Sequence, residues 1–172
     1  VFVPIRISTN GTVQYERGFE MLGKQAKDMT LPLSWIGRRL LTGISAQFES
    51  EGGWSGNPWT ALSGPYENWK EQKVPGLPML VGVRRTGSAG QRPQTYERSG
   101  QMKDELLSPE SMIAGPQRMV YAPHSDIAGF HQDGTERMPA RPPVDIPLAE
   151  YHEWDRTFVR WLNGLIVQEG LL

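Results

Sequence analysis

Ser34-Trp35-Ile36-Gly37-Arg38-Arg39-Leu40-Leu41-Thr42-Gly43-Ile44-Ser45-Ala46-Gln47-Phe48-Glu49-Ser50 places Ile36, Leu40, Ile44 and Phe48 at every fourth position. Leu33, Leu41 and Gln47 lie alongside that stripe, and Arg38, Arg39 and Glu49 lie off it. The period is that of an α-helix with one buried face, so the spacing predicts an amphipathic helix over 34–50. An apolar stripe needs a second layer to lie against, and the rest of the chain says what that layer is.

Upstream, residues 13–29 read as a helix with Tyr15, Phe19, Leu22, Ala26 and Met29 on one side. Gly18 and Gly23 weaken it, and Leu31-Pro32 breaks the run before the main helix. Residues 1–12 begin with Val1-Phe2-Val3-Pro4-Ile5-Arg6-Ile7, an edge strand or an arm that adds to a neighbouring sheet, closed by the Asn10-Gly11 turn. Downstream, 52–78 reads as a long loop carrying Trp54, Trp59 and Trp69 among four prolines. A loop of that length in a compact domain is usually functional, and its tryptophans usually anchor it.

Met79 to Val83 predicts a short strand. Residues 84–98 form a second long loop, a hairpin tip or an inter-subunit loop, polar and basic through Arg84, Arg85, Arg92 and Arg98. Ser99 to Leu107 is a short helix with Ser99 as its cap. Two strands, 111–114 and 117–122, turn at Gly115-Pro116. Residues 125–133 make one or two helical turns. The C-terminal helix, 147–169, carries Leu148, Tyr151, Trp154, Phe158, Trp161, Leu162, Leu165 and Ile166 as a wide apolar face. Its acids come early and its arginines later, as the helix dipole favours. The sum is one α+β domain over 1–172: a small antiparallel sheet of three to five strands, packed on one face by helices.

Between the last strand and the last helix stand His131-Gln132-Asp133-Gly134 and Met138-Pro139-Ala140-Arg141-Pro142-Pro143. Pro139 and Pro142 fix φ on either side of Arg141 and hold the segment extended. A guanidinium on so stiff a rail suits a fixed carboxylate or a set of backbone carbonyls, as an assembly contact would need.

Composition narrows the function. Eighteen basic and nineteen acidic residues leave a net charge of −1, which does not suit bulk coating of nucleic acid. The absence of cysteine removes disulfides, thiolate metal sites and cysteine nucleophiles. No apolar run is long enough to span a membrane, and no signal peptide is legible. His124, His131 and His152 lack metal-ligand spacing, so the reading is no metal and no cofactor. Ser45 and Ser88 do not sit on a strand-to-helix elbow, residues 82–90 lack a phosphate-loop lysine, and Glu49 with Glu51 closes a helix. The expectation is that the chain is not an enzyme.

One order of motifs stands out: Phe48-Glu49-Ser50-Glu51-Gly52, Trp59-Thr60-Ala61-Leu62-Ser63, an apolar run near Leu80, Arg98-Ser99-Gly100-Gln101-Met102, Val120-Tyr121-Ala122, His131-Gln132-Asp133-Gly134 and Pro139-Ala140-Arg141-Pro142. The series resembles the phage virion morphogenesis family, the Mu G-type tail-completion proteins, where F-x-x-E-G, W-x-x-L-S, T-G-x-L, Y-A, H-Q-x-G and P-A-R-P follow in that order. The likeness covers residues 34–165. Ser99-Gly100-Gln101-Met102 stands where that family has T-G-x-L, and 63–98 is longer and richer in proline.

The resemblance implies a structural virion protein with a tail-terminator-like fold, assembled in the host cytoplasm. It would join head to tail as a neck component, usually a homohexameric ring, between the head–tail connector protein and the tail tube protein. Transiting DNA would be a passive contact, faced by the basic loop, and no membrane is involved. On that picture Arg141 bonds carbonyls or a carboxylate, at a subunit contact or within its own domain. His131 and Gln132 bond the same loop, Gly134 supplies a positive φ, and Trp54, Trp59 and Leu62 anchor the 52–78 loop. A connector adaptor or a minor tail protein is the nearest alternative. A prophage-encoded nucleic-acid-processing enzyme built on His131 and Asp133 is a more remote one.

Overall fold

A computed structural model describes residues 10–86 and 95–171. Its centre is the helix on which the sequence turns. This helix, α2, spans Thr30–Glu49 and buries Ile36, Leu40, Ile44 and Phe48 together with Gln47. Pro32 does not break it. It sits in the first turn, where a helix has no partner for the missing N–H, and it is buried there.

Before α2 comes α1 (Asn10–Gln25). The expected stripe is met in part: Leu22, Ala26 and Met29 are half-buried, the last two beyond the end of α1, but Phe19 is exposed, and Gly18 packs so close to Leu171 that a Cβ would stand 2.9 Å from its Cδ2. After α2, the expected loop over 52–78 is only partly a loop. It holds a 3-10 turn at Gly53–Ser55 and a ten-residue helix, α3 (Gly64–Lys73). Pro65 in the first turn, Glu67 near the start and Lys70 and Lys73 near the end are the signals that favour α3.

The described ends of the basic loop 84–98 pair as a hairpin, the first of its two expected forms. β1 (Gly82–Thr86) pairs antiparallel with β2 (Thr95–Ser99), Arg84 opposite Glu97 and Arg85 opposite Tyr96. Arg92 and residues 1–9 of the arm expected over 1–12 lie outside the described residues; Asn10 and Gly11, expected as the turn that closes the arm, begin α1 instead. Ser99 ends β2 rather than capping a helix, and α4 (Gln101–Leu107) starts after Gly100. A second hairpin follows, β3 (Met112–Ala114) with β4 (Met119–Tyr121), then α5 (Asp126–Asp133) and α6 (Leu148–Gln168).

The chain is therefore α+β, with six α-helices and two small antiparallel sheets among the described residues. The single sheet of three to five strands is replaced by two separate hairpins. Each pairs strands that are neighbours in sequence, and α4 comes between the two hairpins along the chain. The core gathers on α2: Leu40, Ile44 and Phe48 meet Trp59, Leu80, Met102 and Leu106. At Gly37 the β3–β4 hairpin comes within 2.8 Å of a notional Cβ, through Met112. That close approach is what glycine permits. No helix among the described residues is long and apolar enough to cross a membrane.

Candidate functional site: a braced frame and its cavity

The end of α2 sets the frame. Gly52 N–H donates to Gln47 O at 2.9 Å, which closes the helix in a Schellman turn with Glu51 at φ +51°. A non-glycine residue in that region is strained and must be held there. Glu51 is held on two sides: its carbonyl accepts from Trp59 N at 2.8 Å, and its carboxylate accepts from Met79 N at 2.7 Å. Gly52, at φ +94°, leaves no space for a Cβ, which would stand 2.5 Å from Asn57 O.

The proline rail closes on this frame. Trp59 Nε1 donates to Pro142 O at 3.0 Å, and Gln47 Nε2 donates to the same oxygen at 3.2 Å. Gln47 is fully buried and also accepts from Ser55 N at 3.1 Å, so this polar member of the apolar stripe is satisfied on both ends. Trp59 packs edge-on against Phe48 with ring centres 5.7 Å apart.

Arg141 is only 4 % exposed. Its Nε donates to Thr60 O at 2.6 Å and a terminal nitrogen donates to Ala61 O at 2.8 Å, while its own N–H donates to His131 O at 2.7 Å. The guanidinium thus takes two carbonyls of its own chain, a match to its planar fork. Gln132 exchanges bonds with Val144, giving to its carbonyl at 2.9 Å and accepting from its N–H at 3.3 Å. Gly134 turns the chain at φ +75°, ψ −178°, and a Cβ there would stand 2.7 Å from Ala140 N.

Arg141 and His131 also line a cavity of about 410 Å³. Leu62, Leu80, Val81 and Pro139 give it apolar walls, and His131, Arg137 and Arg141 give it a basic side. His131 Nδ1 is buried without a hydrogen-bond partner among the described residues. Burial first, and the Arg141 charge second, push the His131 imidazole below its ordinary pKa.

The expected residues therefore divide. Trp59, Leu62, His131, Pro139, Arg141 and Pro142 come together around the frame and cavity. Trp54 lies apart, its indole filling the space above Gly43 on α2. Arg84, Arg85 and Arg98 are on the β1–β2 hairpin, where Arg84 is tied to Glu97. His131 and Asp133 do not form a metal cluster, and no group of metal-ligating side chains occurs among the described residues.

Sequence reasoning missed three features. Lys70 on α3 is 3 % exposed and donates to Pro78 O at 2.5 Å and Met79 O at 2.9 Å, pinning α3 to the segment that leads into β1. Burial lowers its pKa, against the pull of Glu51, Glu67 and Glu71. Tyr66 and Trp69 stack at 5.7 Å, and Trp69 meets Tyr96 edge-on at 5.9 Å, an aromatic ladder between α3 and the hairpin. Arg137 stands at the cavity with nothing in its spacing to mark it.

Comparisons with protein-family models, curated proteins and solved structures return no match.

Proposed function

We propose that this chain is a structural virion protein of a tailed phage, acting in tail completion or head-to-tail joining as a ring-forming neck or tail-terminator component. The observation that carries the reading is the balance of apolar surface. Among the described residues nine hydrophobic side chains are buried, and fifteen large ones are exposed. Isolated apolar residues on a surface are ordinary. Here they recur along whole elements: Ile127 and Phe130 on α5, Ile113 facing Val120 across the second hairpin, and five positions of α6. Such faces suit a molecule that works among copies of itself.

The motif order that resembles the virion morphogenesis family supports the same reading. Glu51, Gly52, Trp59, Gln132, Gly134 and Arg141 each hold a bond or a turn that shapes one rigid frame. A rigid frame with wide apolar faces is what a stacked ring needs from its subunit. The connector above and the tail tube below are the proposed partners, with the virion neck as its location. The β1–β2 hairpin, with Arg85 and Arg98, is proposed to face passing DNA.

The test is negative-stain microscopy with light scattering on the purified chain, alone and with tail tube protein. A ring with a central channel that caps tail tubes is the expected result. A chain that stays monomeric at high concentration and leaves tail tubes unbound would overturn the reading.

A further inference from the structure

Two surfaces of opposite character lie on this molecule. The first is the cavity beside Tyr66, Met79 and Met138, with Arg137 on its side. No carboxylate lines it, and the Arg137 guanidinium has no bonded partner among the described residues. Aromatic, methionine and arginine side chains around a concavity are what the centres of protein interfaces are enriched in.

The second surface is the outer face of α6. Not one of its 21 residues is buried. Trp154, Phe158, Trp161 and Leu165 turn partly inward. Leu148, Tyr151, Val159 and Leu162 are exposed at the three- and four-residue spacing that puts them on one stripe. Asp155 sits in the middle of that stripe, exposed and without an ion-pair partner among the described residues. Arg156 and Arg160, its neighbours, are engaged with Glu153 instead.

The two surfaces complement each other. A concavity with apolar walls takes the apolar stripe of a helix. The unpaired cation of one matches the unpaired anion of the other. The helix is preformed, so its docking orders little new backbone. We propose that α6 of one copy lies across the Arg137-rimmed cavity of a second copy, Tyr151 and Val159 entering the apolar walls and Asp155 meeting Arg137. This contact rests on the assembly reading above and names its partner surfaces. Its two sides differ, so it is heterologous: each copy gives a helix and receives one, and repetition closes into a ring or runs on as a filament.

The test is a charge exchange, read by light scattering and sedimentation over a concentration series. Both side chains are exposed, and circular dichroism checks that each variant keeps its helices. Arg137→Asp and Asp155→Arg alone are each expected to raise the dissociation constant of self-association about tenfold or more, and the double variant to return it to within a few-fold of the original. A wild-type oligomer indifferent to both reversals overturns this contact and leaves the assembly reading standing. So does a double variant no better than the singles. A wild-type chain that never associates overturns this contact, and one that also leaves tail tubes unbound overturns both.

Discussion

Trp59 and Pro142 stand 83 positions apart, and the indole N–H of one donates to the carbonyl of the other at 3.0 Å. Gln47 shares that oxygen from the buried side of α2. One carbonyl therefore joins the main helix, the tryptophan loop and the proline rail. Two donors on one acceptor make the loss of either tolerable and the loss of both severe, because a buried unpaired carbonyl keeps its full desolvation cost.

Trp59→Phe keeps a ring beside Phe48 and should cost about 1–2 kcal/mol. Gln47→Leu orphans the Ser55 N–H and should cost about 2 kcal/mol. The double variant should exceed the sum by about 1 kcal/mol, since Pro142 then has no donor. Urea unfolding of the four proteins gives the coupling directly. Strict additivity would mean that Pro142 is bonded elsewhere.

Arg141 makes a sharper case, because its charge is buried and its two acceptors are carbonyls. Arg141→Lys can reach Thr60 O or Ala61 O but cannot fork to both, so a loss of about 1–2 kcal/mol is expected. Arg141→Met strands both carbonyls and should cost about 3 kcal/mol or more. Arg141→Glu sets an anion against two acceptors and should abolish folding or assembly. If thermal melts rank methionine at or above lysine, the fork is not what holds the loop.

Several of these relationships are legible in the amino-acid sequence. The four-residue period of Ile36, Leu40, Ile44 and Phe48 fixes α2, because periodicity alone decides a long amphipathic helix. The two prolines around Arg141 mark a rail that needs an acceptor, and Gln47 inside an apolar stripe marks a buried polar residue that needs partners. Which distant carbonyl each finds is not legible. Thr60 and Ala61 carry no side-chain signature as acceptors, since every residue offers a carbonyl. Helix α3 is masked by its tryptophan and flanking prolines, although Pro65 and Lys73 mark its two ends correctly. The expectation of a single sheet fails because β-pairing over long range leaves no local mark, whereas each strand pairs with the next one along the chain. Phe19 is exposed although Leu22, three positions on, is half-buried, because a stripe shows which residues share a face, not how far along the helix that face is covered.

Gly52, Gly56 and Gly134 all have positive φ, but their surroundings differ. A Cβ at Gly56 meets nothing within 4 Å, whereas at Gly52 and Gly134 it meets backbone at 2.5 Å and 2.7 Å. Gly56→Ala should therefore cost only the conformational strain, about 1 kcal/mol. Gly52→Ala and Gly134→Ala add a backbone clash that no rotamer relieves, and each should cost about 3 kcal/mol or more. Melting temperatures of the three alanine variants rank them. Equal losses at all three would show that the Asn57 and Ala140 backbones yield freely.

His131 gives the chain a dependence on pH with a defined sign. Its imidazole is held below the ordinary value by burial, and next by the Arg141 charge. In the window between the folded pKa and the ordinary value of about 6.5, the unfolded chain binds the proton and the folded chain does not. Stability is therefore full above that window and falls as pH drops through it. His131→Gln removes the titration, so its stability should stay flatter between about pH 7 and about pH 5, where the wild type declines. The other two histidines are common to both proteins and cancel. Glu20, Asp28 and Glu105, whose carboxyls are lowered by hydrogen bonds, add losses in both proteins at more acid pH. Urea midpoints across that range decide the matter: parallel curves would take the slope away from His131, and a flattened variant would leave it there.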